Sequence, residues 1–338
     1  MLEKTVFTNK TIISTVKKKY NIDIYKIEKL NRGTANIYSL NDNKYIFKEF
    51  QSRFNKKDII KEIKIINHLR KDKLPVPEYI PTVTNRYYFT YKGKTVIMQK
   101  FIDGYTIESN TGTDEQILES AKYLGMMLKS LKTLEFKLPR GLIETWFERD
   151  LLKEGLEEHK ELLSTVDKNK YPRIYNDLKD KIEILESIKK SDYKDFDKLT
   201  MMNTHGDFSV LQFIYKKDKV HAIIDFVTAC NSPVIWEIIR SYSFIDPRAK
   251  DGVIDIPMFI KYVREVTKYI DLNEYDYRYM VSLYLVQVLA STFGYKQYLK
   301  DNTKVGLLEF GYFRTNLCRY MYKYNKKITD TLLKEFVK

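Results

Sequence analysis

THGDFSVLQFIYKKDKVHAIIDF, residues 204–226, holds two apolar runs joined by the polar turn KKDK. If residues 216–219 form the turn of a hairpin, Tyr215 faces Val220 and Gln212 lies across from Ile223. Asp225 then falls within about two positions of Gln212. Asp207 stands just before the first strand and Asp225 at the end of the second, so both carboxylates can point toward one end of the hairpin. Two carboxylates and a carboxamide are hard oxygen donors, suited to Mg²⁺ and a phosphorylated ligand rather than to a soft metal. Asp225 follows VHAII and precedes Phe226 and Val227, which predicts a largely buried carboxylate in need of a cation or of hydrogen-bond donors.

Toward the amino terminus, the chain reads as a helical start followed by IYKIEKL, NIYSL and KYIFKEF, separated by the polar turns NRGTA and NDN. This alternation predicts an antiparallel meander. Asp58 can cap the helix DIIKEIKIINHLRK, in which Ile59, Ile63, Ile66 and Leu69 recur at helical spacing. Two further strands, RYYFTYKG and KTVIMQKFI, complete five. Lys48 lies within the apolar strand YIFKEF and Glu62 on the apolar side of the helix, so a lysine on the sheet paired with a glutamate on the helix satisfies both charges. Beyond IDGYTI the periodicity is helical from Asp114 to about Lys190 and again from Pro257 to the end. One hairpin lies between these blocks. The order predicts a small β-rich lobe, residues 1–102, and a large helical lobe, 103–338.

Composition narrows the functional classes. The charge of +14 is scattered as KKK, KK and KDK pieces, which reads as solvated surface rather than a nucleic-acid stripe. Most of the 27 tyrosines lie in apolar runs and read as core. Two cysteines, Cys230 and Cys318, provide neither a zinc spacing nor a disulfide framework, so the expected compartment is the cytoplasm. MLEKTVFTNK lacks the zones of a signal peptide, and the uncharged run from Tyr279 to Tyr295 carries Ser282, Gln287 and Ser291. A buried helix is expected there, with no membrane span.

HGDFSVLQ, residues 205–212, resembles the H-G-D-x-x-x-x-N loop of the aminoglycoside phosphotransferase family, and IIDF, 223–226, resembles its metal-binding I-D-F. That family of kinase-like small-molecule enzymes also includes choline, homoserine and fructosamine kinases and spore-coat kinase-like proteins. The resemblance covers most of the chain and implies an α+β, two-lobed, protein-kinase-like fold with a five-stranded antiparallel first lobe that binds ATP or GTP. It implies Asp207 as catalytic base, His205 as support for its loop, and Gln212 and Asp225 as Mg²⁺ ligands. Lys48 and Glu62 match the phosphate-binding lysine and its helix partner. Gly33 and Thr34 belong to the loop over the nucleotide, Met98 to the adenine pocket, and the backbone of Gln99 and Phe101 to the contacts with the base. Gln212 stands where the family has asparagine, and Glu237 where it usually has aspartate. The implied activity is transfer of a γ-phosphoryl group to a hydroxyl of a small molecule; the opposing reading is a non-catalytic kinase-like binding protein such as a spore-coat component. The acceptor stays open between an aminoglycoside, for which ETWFERDLLKEGLEEHKE, 144–161, could supply acidity, and a small hydroxylated metabolite, sugar or amino alcohol. Trp146 and Trp236 could line its pocket or pack the core.

Overall fold

The structure is a computed structural model that describes residues 3–30, 35–141 and 150–337. The chain forms two compact units: Met1–Thr106 with Gln212–Thr228, and Ile107–Leu211 with Ala229–Lys338.

The first unit comprises helix α1 (Asn9–Tyr20), strands β1 (Ile27–Leu30), β2 (Asn36–Leu40) and β3 (Tyr45–Glu49), helix α2 (Lys56–Lys71), and strands β4 (Tyr88–Tyr91) and β5 (Lys94–Lys100). The strands make one antiparallel sheet in the order β1-β2-β3-β5-β4. Its register sets Phe47 opposite Met98 and Lys48 opposite Ile97. Because successive side chains alternate between faces, Phe47 and Met98 join Ile12, Val16 and Tyr20 of α1 in one apolar cluster, while Lys48 turns to the other face, toward α2. Ile59, Ile63, Ile66 and Leu69 are buried there, and Glu62 with them at 1% exposure. The cap of α2 differs from the sequence expectation. Asn55 Oδ1 accepts the N–H groups of Lys57 and Asp58, and Asp58 returns a bond to the Asn55 N–H. Asp58 is thus the reciprocal partner of a capping box whose cap lies three residues earlier.

Two more strand pairs are nested in sequence. β6 (Met201–Thr204) pairs with β9 (Cys230–Pro233) in the second unit, while β7 (Phe213–Lys216) and β8 (Lys219–Ile223) form a hairpin in the first. The β6–β9 pair has no counterpart in the sequence reading, because MMNT and CNSP are four residues each and show no apolar alternation. In the hairpin the turn is only Lys217 and Asp218, with φ of 51° and 59°, the twist-compatible type that two-residue hairpins favour. Tyr215 pairs with Val220 as expected, but Ile214 pairs with Ala222 and Phe213 with Ile223, which leaves His221 bulged. Gln212 is shifted by one place in consequence: its carbonyl accepts the Ile224 N–H at 2.9 Å, instead of facing Ile223. Tyr105 and Tyr215 exchange backbone hydrogen bonds of 2.8 and 2.7 Å and tie the hairpin down. Gly104 permits this approach, since with φ +146° a Cβ there would lie 2.3 Å from the Tyr215 carbonyl oxygen.

The second unit is mainly helical: α3 (Asp114–Lys132), α4 (Leu151–Thr165), α5 (Pro172–Ser187), α6 (Val234–Ile245), α7 (Ile256–Val266), α8 (Glu274–Leu289), α9 (Tyr295–Lys300) and α10 (Val305–Phe336). Helices α3 with α7, and α8 with α10, make its broadest packing surfaces. Most of the uncharged run lies in α8, where Met280, Val281, Leu283 and Leu285 are buried. No helix among the described residues is long and apolar enough to cross a membrane. Trp146 and residues 144–149 of the acidic stretch lie outside the described residues.

One core group makes the second unit sensitive to acid. His159 on α4 is fully enclosed, with Nδ1 2.7 Å from the Gly155 carbonyl oxygen. Burial, and then the charge of Lys181, push its pKa from 6.5 down to about 3. In the unfolded chain the imidazole takes up a proton near 6.5, whereas the folded form refuses it, so stability is full above that value and falls as the pH drops toward 3. At pH 5 the loss attributable to this group is ~2 kcal/mol, from 1.4 kcal/mol per unit. Urea titrations between pH 7 and 5 are expected to show a shallower decline for His159→Gln than for the wild type. Equal declines would remove His159 as the cause.

Candidate active site

In the first unit three elements bring charge to one place. Lys48 Nζ on β3 lies 2.9 Å from Asp225 Oδ1 and 3.9 Å from Glu62 Oε1. The expected Lys48–Glu62 pair is therefore the longer of two contacts, and the hydrogen bond goes to Asp225. Glu62 Oε1 accepts a bond of 2.7 Å from the Tyr79 hydroxyl. Burial draws the pKa of Lys48 down, but the attraction of Asp225 and Glu62 outweighs it and leaves the ammonium above the ordinary lysine range. The Lys48 side chain also sits 4.5 Å over the Phe50 ring. Asp225 is less buried than its neighbours in sequence suggested, at 28% side-chain exposure, because it follows β8 at a left-handed residue (φ 70°) that ends the strand. Its carboxylate and the half-buried Gln212 carboxamide are hard oxygen donors at the same open end of one hairpin, a set that fits Mg²⁺ completed by phosphate oxygens.

The stretch expected beside the base lies on β5 and just after it. Met98 is fully buried opposite Phe47, and its carbonyl accepts the Ile80 N–H at 2.8 Å. Gln99 pairs with Ile46 and is bridged by Tyr79. The Phe101 N–H donates to the Lys44 carbonyl at 3.0 Å. A base that used this N–H, as the resemblance implies, must displace Lys44 from it. Gly33 and Thr34 lie outside the described residues.

In the second unit the loop that carries Asp207 is held by one face of α6. Glu237, fully buried in the first turn of that helix, accepts the N–H groups of His205 (2.9 Å), Gly206 (2.7 Å) and Phe208 (3.2 Å). One carboxylate thus satisfies three backbone donors of the H-G-D-F loop. Burial raises its pKa, against the opposing pull of His205, those N–H bonds and Arg240. Three residues on, Arg240 donates Nη1 to the Phe208 carbonyl (2.9 Å) and Nη2 to Asp207 Oδ1 (2.5 Å). Positions i and i+3 share a helix face, so Glu237 and Arg240 grip the loop together. Gly206 supplies the left-handed step, φ 78°, that turns the chain between the buried His205 and Asp207. The Asp207 side chain keeps 42% exposure. His205 packs its ring edge-on against Phe208 at 5.9 Å.

Sequence reading passed over Arg240 and Tyr79. A signal existed for Arg240: it is the one cation in the apolar helix VIWEIIRSYSFI, one turn after a glutamate. Tyr79 lies in PVPEYIP, whose prolines read as a connector and nothing more.

Comparison with known proteins bears on the whole constellation. The family model described as the phosphotransferase enzyme family matches residues 26–256. No curated protein matches the chain. Solved structures share its fold over nearly their full lengths. Amicoumacin kinase hAmiN, in complex with AMP-PNP, Ca²⁺ and Ami, has a TM-score of 0.60 at 14% identity, covering 96% of this chain and 94% of that one. The GDP complex of wild-type aminoglycoside 2'-phosphotransferase-IIIa has 0.60 at 16%, covering 94% and 100%. A microcompartment-associated aminopropanol kinase has 0.62 at 14%, covering 96% and 100%. The five-stranded antiparallel sheet, the mainly helical second unit and the matched residues 26–256 agree: the chain belongs to the phosphotransferase enzyme family.

Proposed function

We propose that this protein is a cytoplasmic small-molecule kinase that moves the γ-phosphoryl group of ATP or GTP to an acceptor hydroxyl, with residues 1–102 as the nucleotide-binding lobe and 103–338 as the catalytic and acceptor-binding lobe. The observation that carries this is Lys48 held between Asp225 and Glu62. A nearly buried lysine with two carboxylates from distant segments is costly as mere packing, and it is the arrangement that a triphosphate and a divalent ion would use. Neighbours whose structures were solved in complex with AMP-PNP or GDP support a nucleotide donor and leave its base open.

Lys48 would donate to phosphate oxygens of the donor, with Glu62 and Tyr79 steadying it from behind. Asp225 and Gln212 would hold Mg²⁺, which when bound neutralises charge on the phosphates. Gly33 and Thr34 would cover the nucleotide, beside Met98, Gln99 and Phe101 at the base. Asp207 would orient the acceptor hydroxyl and take its proton as the bond from that oxygen to phosphorus forms and the bond from phosphorus to the β–γ bridging oxygen breaks. His205 would act through the loop, by packing on Phe208. A second reading, a kinase-like binding protein without turnover, is favoured by Gln212 in the asparagine position and by the Lys48 bond on Asp225.

Thermal unfolding with ATP or GTP, with and without Mg²⁺, separates the two. A ligand that binds only the folded state adds to its stability by mass action, about 2.7 kcal/mol at a hundredfold excess over Kd, and so raises the melting temperature. The wild type is expected to be stabilised by nucleotide, and more so with Mg²⁺. Asp225→Ala is expected to lose the Mg²⁺ increment. No stabilisation by either nucleotide under any condition would give the lead to the binding-protein reading.

A further inference from the structure

Within the second unit, a cavity of about 450 Å³ is bordered by Glu154, Gly155 and Glu158 of α4 and by Gln287 and Ser291 at the end of α8. Two buried cations stand behind Ser291. Lys181 of α5, 2% exposed, donates to the carbonyls of Val288 (3.0 Å) and Ser291 (2.9 Å). Arg314 of α10, 7% exposed, donates Nη1 to Ser291 Oγ at 3.1 Å. Among the described residues its Nη2 has no hydrogen-bond partner. The buried carboxylate nearby, Asp177, is taken by Arg319 (2.6 Å) and the Tyr295 hydroxyl (2.5 Å). Burial lowers the pKa of both cations, Lys181 to about 8. Buried charge of one sign is unfavourable until an anion approaches it.

Ser291 transmits that charge to the cavity. Its Oγ accepts twice, from Arg314 Nη1 and from the Phe293 N–H at 3.2 Å. A hydroxyl has two lone pairs and one proton, so with both pairs engaged the O–H is left to donate at the cavity wall. The facing wall has the opposite sign: Glu154 and Glu158, the latter holding Lys296 at 2.7 Å. A run of side chains links the cavity to the Asp207 loop. Gln287 Oε1 accepts Trp236 Nε1 at 3.4 Å, Arg240 stacks 5.2 Å over Trp236, and Arg240 holds Asp207.

We propose that this cavity receives the acceptor and that the acceptor is a hydroxylated amino acid, with its carboxylate on the Ser291 O–H in front of Arg314 and Lys181 and its ammonium on Glu154 and Glu158. This rests on the kinase reading above. A polycation meets two buried positive charges here, whereas a zwitterion matches both walls.

The test compares acceptors that differ only in the carboxylate: L-homoserine with 3-aminopropan-1-ol, and L-serine with ethanolamine, with kanamycin as the polycation. Turnover with Mg²⁺ and ATP is expected to favour the acid of at least one pair by about tenfold or more in kcat/KM, the scale of one charge-assisted hydrogen bond. Ser291→Ala is expected to raise KM for that acid by a similar factor, leaving KM for ATP and use of the amino alcohol unchanged. Arg314→Gln should do the same more strongly if it folds; Ser291→Ala keeps the test open if it does not. Equal use of both members, a preference for kanamycin, or an equal effect of Ser291→Ala on both members would overturn the assignment. So would failure of every acid while nucleotide still stabilises the protein, an outcome that spares the kinase reading. Calorimetry with L-homoserine alone, wild type against Ser291→Ala, reads the subsite without nucleotide: heat in the wild type that the variant loses is the expected result, and no heat in the wild type overturns the assignment.

Discussion

Asp207→Asn is expected to lower kcat by ~10³-fold, within the usual range for removal of a general base, while leaving nucleotide-dependent stabilisation intact. The variant isolates chemistry from folding for a structural reason. Arg240 Nη2 bonds Oδ1 of Asp207, and asparagine keeps an oxygen in that place, so this tie between loop and helix is kept. What it loses is the charge that attracts the acceptor proton. Steady-state kinetics and a thermal titration with ATP on the same preparation decide the matter. Turnover near the wild-type rate, or a loss of nucleotide affinity with turnover retained, would deny Asp207 that role.

The second large effect is expected at Glu237. Removing its carboxylate strands the N–H groups of His205, Gly206 and Phe208 in a buried place, and unsatisfied donors cost ~1–3 kcal/mol each before any relaxation. Glu237→Ala is therefore expected to lose roughly 4 kcal/mol of stability, and most of its activity along with the shape of the loop. Glu237→Gln should lose less, because Oε1 can still take the Gly206 and Phe208 donors while its amide meets the His205 N–H donor to donor. Denaturant unfolding of the three proteins measures this ordering. An alanine variant as stable as the wild type would mean that the loop is held by something other than Glu237. The substitution of glutamate for the more usual aspartate is thus read as a longer stem that reaches three donors at once.

The legible parts of this molecule were those in which neighbours in sequence are neighbours in space. Alternation in NIYSL, KYIFKEF and KTVIMQKFI predicts strands that pair as antiparallel neighbours in the sheet. The spacing of Ile59, Ile63, Ile66 and Leu69 predicts the buried face of α2. Where local pattern and local chemistry disagreed, the reading slipped by one to three residues: the bulge at His221 moved Gln212 from Ile223 to Ile224, and the α2 cap lies at Asn55. Neither error changes an element. Each shifts which backbone group is engaged.

What the sequence by itself determined is the set of chemical parts: a lysine in an apolar strand, a glutamate on an apolar helix face, an H-G-D loop, and an aspartate that ends a strand. Only the tertiary structure decided their partners. Lys48 bonds Asp225 across 177 positions and holds Glu62 at the longer distance, and Arg240 reaches back 33 positions to Asp207. Periodicity reports on the backbone over a few residues, whereas a buried charge is satisfied by whatever group the fold carries to it, from any distance along the chain. The same holds for Ser291, Lys181 and Arg314, which share no motif and become one corner of a cavity because α5, α8 and α10 meet there.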